Sequence, residues 1–346
     1  MFTWSESPQK DMWENLNFLS KKENVRNLLS GHINSNRKVF YTDEEILEKK
    51  SSQISMCIRQ AYEFYMAAEN SSLKTSPLLF FYGMLSLSKA LVIANNEGVY
   101  IENVKYHGLH TRPITTELNE YLKEESSWSI ENQYAVSANG VFKLLCETLG
   151  YLEFPDESIF LFKDILSTSP ELKNMYEIFY NEPSSVYKLY SHDDKKNILS
   201  TTSSRDTFEK VSCQLYEDFE LLPDLMHGLA LQYKLKENKD FPDYLGVYKS
   251  KIGGRYIVGG LHYKYNDLIN KKYVDQVICQ YIGMFILSIN VRYKQEFWGN
   301  ITSGQENGVI SLIERFLSIS KRIFPNIILD NLFSEPFEYG APARYS

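Results

Sequence analysis

The sequence predicts a mainly α protein of the α+β class: a helical bundle with a small antiparallel β-rich insertion. Residues 76–94 are apolar on nearly every side, which is typical of a central core helix. Between residues 184 and 265 the apolar residues alternate or cluster in short runs separated by glycine and Asn/Asp, which is typical of strands. With 346 residues, 43% of them hydrophobic, the chain can bury a large core. We therefore predict a single domain over residues 1–346 that contains the insertion at 184–265.

Composition and charge exclude some classes of partner. The formal net charge is −7. An acidic chain is a poor general binder of nucleic-acid backbones or of anionic membranes, although a local basic patch remains compatible with it. Aromatic residues make up 14% of the chain, and we interpret them as packing residues rather than as a base-stacking platform. No membrane partner is expected.

The cysteines indicate the compartment. None is spaced for a zinc site or a redox pair, and scattered single cysteines fit a reducing cytoplasm; they are Cys57, Cys146, Cys213 and Cys279. The first 18 residues have no basic segment and no long apolar run, so we expect no secretion signal there. The 76–94 helix is near the minimum length for a membrane span and is interrupted by Lys89. We expect a soluble cytoplasmic protein with no metal and no cofactor.

The front of the chain predicts an antiparallel helix pair. Residues 2–35 have a loose helical spacing of apolar side chains. Thr42, followed by Glu44 and Glu45, resembles a capping box and begins a long helix over 43–69. Only a short polar segment separates this helix from 76–94, so the two helices are expected to pack side by side.

The later elements follow from periodicity and turn residues. We predict a connection with a short strand at 99–113, a polar segment at 114–135, a helix at 141–149 and a helix at 158–182 that is split by Pro170. Within the insertion we predict an exposed loop at 191–206 and a short helix within 223–236. The C-terminal part predicts a buried helix at 272–298, a second helix at 306–323 that Pro325 ends, and an extended tail.

Four short motifs resemble the YaaC-like bacterial proteins. They occur in the family's order and cover about residues 40–180 and 270–330: PLLFFYGMLSLSKALVIANN at 77–96, HGLHTR at 107–112, FLFKDILSTSPELKNMY at 160–176 and FILSINVRYKQEFW at 285–298. Two positions depart from the family pattern, since Gln280 stands where a histidine is expected and Phe297 where a tryptophan is expected. The front helix pair is also similar to the HEPN fold. That resemblance implies a bacterial accessory protein or a ribonuclease, and dimerisation through the long helices.

The candidate site residues are His107, Arg112, Arg292 and Glu296. A histidine and an arginine just beyond the core helix could contact a phosphate or a base and move a proton. The alternative is a turn in which both side chains satisfy backbone carbonyls. Arg292 and Glu296 lie four residues apart, so an ion pair on one helix is the ordinary interpretation.

A HEPN ribonuclease would need an arginine followed a few residues later by a histidine. Arg26 with His32 and Arg255 with His262 match this loosely, but the first pair spans a helix end and the second lies in a strand region. Arg292 has no following histidine. Our first hypothesis is therefore a non-catalytic accessory subunit that contacts another protein subunit in a bacterial assembly, such as an anti-phage defence system. The alternative is a HEPN-like ribonuclease or nucleotide-processing enzyme whose partner is RNA or a nucleotide.

Overall fold

The computed structural model describes residues 2–34, 37, 39–111, 129–150, 154–192, 198–201, 219–221, 231–237, 245–249, 255–266, 268–304 and 308–340. The chain divides into two compact units. The first, here called the helical unit, comprises residues 1–162 and 280–346. The second, here called the β-rich unit, comprises residues 163–279.

The helical unit contains most of the long helices. They are α1 (Pro8–Phe18), α2 (Lys22–Leu29), α3 (Glu44–Glu69), α4 (Ser76–Asn95), α5 (Val141–Thr148), the later part of α8 (Gln276–Tyr293), α9 (Gln295–Thr302) and α10 (Val309–Phe333). Its strands are β1 (Phe2–Trp4), β2 (His107–His110), β3 (Tyr134–Gly140), β4 (Ile159–Leu161) and β13 (Glu338–Gly340).

Helix α4 is the centre of the helical unit, as its composition predicts. It packs against α3, α5 and α10, and Leu87, Leu91 and Ile93 are fully buried. Pro77 occupies the first turn, where its missing N–H costs nothing. The paired helices predicted at 43–69 and 76–94 are confirmed with shifts of one residue.

Helix α4 is also long and apolar enough to cross a membrane, with a mean hydropathy of 1.7 over its most apolar window. However, 72% of that window is buried inside the protein. A helix covered by protein in this way fits the core of a soluble protein.

Two buried cations donate hydrogen bonds to carbonyls at the C-terminal end of α4. Lys50 Nζ donates to the carbonyls of Ile93, Asn96 and Val99 at 2.9, 2.7 and 2.8 Å. Arg37 donates to the carbonyl of Ala94 at 3.1 Å. The last carbonyls of a helix lack intrahelical partners and carry partial negative charge, so cations are favourable there.

Three local predictions were wrong in the helical unit. Phe2–Trp4 forms strand β1 rather than helix and pairs in parallel with β13. The N-cap of α3 is Asp43, whose side chain accepts a hydrogen bond from the N–H of Ile46 at 2.9 Å, rather than Thr42. Strand β3 was not predicted, and strand β4 occupies the start of the helix predicted at 158–182. They form an antiparallel sheet in the order β2-β3-β4.

The C-terminal helices differ from the prediction in two places. The helix predicted over 272–298 is two helices, α8 and α9, that separate at Lys294. Helix α10 continues through Pro325 instead of ending before it. An internal proline costs about 3 kcal/mol. Ile323, Phe324 and Ile328 flank it and are buried, and burial of each contributes about 2 kcal/mol, so packing outweighs the proline.

The β-rich unit contains the predicted insertion. Its six-stranded sheet has the order β7-β8-β6-β5-β10-β9, and every pairing within it is antiparallel. The strands are β5 (Val186–His192), β6 (Ile198–Thr201), β7 (Phe219–Leu221), β8 (Leu231–Leu235), β9 (Leu245–Lys249) and β10 (Arg255–Gly259). A hairpin, β11 (Leu261–Tyr265) and β12 (Leu268–Lys272), extends the strand region beyond residue 265. This unit also contains helix α6 (Phe162–Ser167), except for its first residue, and α7 (Lys173–Tyr180).

Two predictions inside the insertion were wrong. The predicted loop at 191–206 contains the end of β5 and all of β6, which pair with each other. Residues 231–235 of the predicted helix form β8, and the preceding residues 222–230 lie outside the described residues. Polar residues in both segments interrupt the apolar alternation from which a strand is predicted.

Candidate functional site

The candidate site lies where strand β2 meets helices α4 and α8. The ring of His107 lies 6.1 Å from that of Phe81 on α4 and 5.1 Å from that of Phe285 on α8. The two phenylalanine rings are themselves 5.4 Å apart and meet edge to face. The ring of His107 therefore packs against aromatic rings from both helices.

Two glycines allow β2 to approach β3 closely enough to fix His107. Gly108 has a φ of +83° and Gly140 a φ of +144°. A Cβ on Gly140 would lie 2.6 Å from the carbonyl oxygen of Tyr106 and 2.7 Å from the nitrogen of Gly108. Only glycine accommodates both the backbone angle and the contact. The hydroxyl of Tyr281 on α8 donates to the carbonyl of His107 at 2.9 Å and anchors the strand further.

The protonation state of His107 follows from its surroundings. Burial lowers its pKa, and the charges of Arg292 and His110 lower it further, with a smaller contribution from Lys89. The ring is therefore neutral at pH 7. Its Nδ1 accepts a hydrogen bond from the N–H of Leu109 at 3.3 Å, so the neutral ring carries its proton on Nε2. His107 thus offers a hydrogen-bond donor.

Arg292, His110 and Lys89 all act electrostatically on His107, and these four side chains are here called the His107 cluster. Arg292 is half-buried, and within the described residues its guanidinium hydrogen-bonds to Ser288, through the carbonyl at 3.4 Å and the hydroxyl at 3.5 Å, and lies against the ring of Tyr293. Lys89 is also half-buried. Neither cation forms an ion pair with a carboxylate in the part of the chain that the structure describes. Half-buried cations without a counter-charge are uncommon, so the cluster is suited to an anion.

The structure brings together only part of the predicted site. The charge of Arg292 acts on His107, whereas Arg112 lies outside the described residues. The predicted ion pair between Arg292 and Glu296 was wrong, because α8 ends at Tyr293 and Glu296 is exposed in the first turn of α9. A break between two helices removes the four-residue spacing that would place the two side chains side by side.

The two Arg/His pairs do not form a common site. Arg26 is bonded to Glu44, which raises the pKa of the guanidinium, and His32 Nδ1 contacts the hydroxyl of Ser30 at 2.6 Å. Arg255 begins β10 while His262 lies in β11, so they belong to successive strands rather than to one helix.

Sequence reasoning did not assign Lys89 to the site. In the sequence, Lys89 is a single cation within the apolar run of α4, and we interpreted it only as an interruption of that run.

Gln280, which replaces an expected histidine, is 2% exposed, and neither atom of its amide has a hydrogen-bond partner within the described structure. No group of His, Cys, Asp and Glu among the described residues could hold a metal ion.

Two clefts lie elsewhere in the helical unit. One, of about 480 Å³, is lined by Asn96, Thr148 and Asp330 among others. The other, of about 460 Å³, is lined by Trp13, Tyr62 and Lys321 among others. Neither includes a residue of the His107 cluster.

Comparison with known proteins identifies one family. The model of a family described as YaaC-like Protein matches residues 17–332, which contain all four motifs noted above. No curated protein and no solved structure matches the chain.

Proposed function

This chain belongs to the YaaC-like family, and we propose that it is a non-catalytic accessory subunit of a bacterial cytoplasmic assembly. In this proposal the His107 cluster holds a phosphate-bearing ligand, RNA or a nucleotide. The observation that carries it is the pair of half-buried cations, Arg292 and Lys89, which lack a carboxylate partner among the described residues. A bound phosphate would supply that counter-charge through charge-assisted hydrogen bonds.

The protonation of His107 favours binding over catalysis. A general base for RNA cleavage must accept the proton of a 2′-hydroxyl on an unprotonated nitrogen. In His107 the unprotonated nitrogen, Nδ1, already accepts from the N–H of Leu109. The remaining Nε2–H can donate to a phosphate oxygen. This supports ligand holding rather than strand cleavage.

The HEPN-like interpretation also belongs to this proposal. Its support is the long antiparallel pair α3 and α4, followed by a turn and strand that contain a histidine. A homodimer through these helices stays a prediction.

Replacing Arg292 by glutamine is expected to weaken binding of a labelled short single-stranded RNA by about tenfold, because one charge-assisted phosphate contact is lost. The dependence of affinity on salt should also become shallower by about one unit of logarithmic slope. Fluorescence anisotropy at several salt concentrations measures both.

Arg59→Gln is the matched control. Arg59 makes the same local bond, from Nε to the carbonyl four residues earlier at 3.4 Å, but lies exposed on α3. Equal losses in both variants would contradict the proposal. The RNA should also remain intact on a gel, and cleavage that His107→Ala abolishes would favour the ribonuclease alternative.

The protein-contact part of the proposal is supported by the hairpin of β11 and β12. Leu268 and Ile269 are 67% and 78% exposed at its turn, and adjacent exposed apolar side chains often mark an interface. The double variant Leu268→Ser/Ile269→Ser is expected to lose a stoichiometric protein partner that wild type retains on affinity purification from the native bacterium. Ile178→Ser, an isolated exposed position on α7, is the control. Purification of wild type without any partner would contradict this part.

A further inference from the structure

An exposed aromatic ring borders the His107 cluster. Tyr293 is 71% exposed, and the guanidinium carbon of Arg292 lies 5.1 Å from the centre of its ring. We infer that the cluster takes a nucleotide unit with an unpaired base, whose phosphate contacts Arg292 and whose base stacks on Tyr293. This inference rests on the proposed phosphate-binding function and names the ligand class for that site.

The chemistry of the two side chains supports this ligand. Bases that are not stacked in a duplex are commonly held on tyrosine rings and on guanidinium planes. Arg292 and Tyr293 are adjacent at the end of α8, so one ligand can reach both side chains. An inorganic phosphate or a polyphosphate would use the cations of the cluster and would leave the ring of Tyr293 without a ligand.

The charge of the protein limits the size of the ligand. The net charge of −7 repels a long polyanion, and the His107 cluster has two permanent charges, Arg292 and Lys89. Two charges suit one phosphate group rather than a row of phosphates along a duplex. A duplex also hides the faces of its bases, so Tyr293 would have nothing to stack on.

Tyr293→Leu separates the base contact from the phosphate contact. The variant is expected to bind a labelled short single-stranded RNA about tenfold more weakly than wild type. Its affinity for inorganic pyrophosphate, measured by calorimetry, should be unchanged. Phe18→Leu, an exposed ring on α1, is the matched control and should alter neither. A blunt RNA duplex of the same sequence should bind wild type at least about tenfold more weakly than the single strand.

The affinity of wild type for adenosine monophosphate distinguishes free nucleotides from single-stranded RNA as the source of the bound nucleotide unit. Binding equal to that of the strand assigns the site to free nucleotides, and tighter binding of the strand assigns it to single-stranded RNA; either result supports the inference. An unchanged RNA affinity in Tyr293→Leu, with pyrophosphate binding lost only in Arg292→Gln, overturns the inference and leaves the phosphate site standing. Failure of every phosphate probe to bind wild type overturns both.

Discussion

Replacing Lys50 by methionine is expected to lower the free energy of unfolding by about 3 kcal/mol, because three carbonyls, one buried and two part-buried, lose their donor. Lys50 is fully buried and donates to Ile93, Asn96 and Val99. Burial lowers its pKa to about 8, so the ammonium is still charged at pH 7. Methionine preserves most of the side-chain volume, so the loss measured by urea denaturation reports the hydrogen bonds rather than a cavity.

The neighbouring Lys49 offers a matched control. Its side chain is 49% exposed and pairs with Glu102 at 3.4 Å. Exposed pairs contribute little, so Lys49→Met should change stability by no more than about 0.5 kcal/mol. A Lys50→Met variant as stable as wild type would show that the carbonyls at the end of α4 find other donors, and that Lys50 does not hold this helix end.

Gly140→Ala is expected to destabilise the protein by about 3 kcal/mol and to reduce ligand binding at the His107 cluster. At a φ of +144° an L-residue is strained. The new methyl group would also meet the backbone of Tyr106 and Gly108 at 2.9 Å or less. Because these atoms are paired backbone, relief requires β2 to move away from β3, and His107 moves with it.

Gly98→Ala is the control for this substitution. Nothing lies within 4 Å of a Cβ at Gly98, and its φ is not positive, so the variant should be within about 0.5 kcal/mol of wild type or slightly more stable. Thermal unfolding compares the variants, and anisotropy with labelled RNA measures binding at a temperature where all remain folded. A Gly140→Ala protein with wild-type stability and affinity would contradict the proposed role of this close approach.

Long periodic segments were predictable because their signal is local. A helix that is apolar on every side must be covered by other elements, so the residues of α4 alone place it at the centre of the helical unit. The alternating runs between residues 184 and 265 identified the β-rich region for the same reason. The family resemblance also rests on short local motifs, and the match over residues 17–332 confirms it.

The failures fall where distant parts of the chain decide the outcome. Strand β1 forms because Phe2–Trp4 pairs with Glu338–Gly340, at the other end of the sequence. Helix α10 passes through Pro325 because buried neighbours outweigh the local penalty. Local sequence patterns reveal neither the strand that pairs with β1 nor the burial of the residues around Pro325.

The sequence by itself determined the mainly helical class, the central helix, the β-rich region and the family, and it offered His107 and Arg292 as candidate site residues. Tertiary structure decided that the charges of Arg292 and Lys89 both act on His107, and that Arg292 does not pair with Glu296. The physical reason is that periodicity reports which face of an element is buried, whereas the charge environment of a side chain depends on elements that meet only when the chain folds.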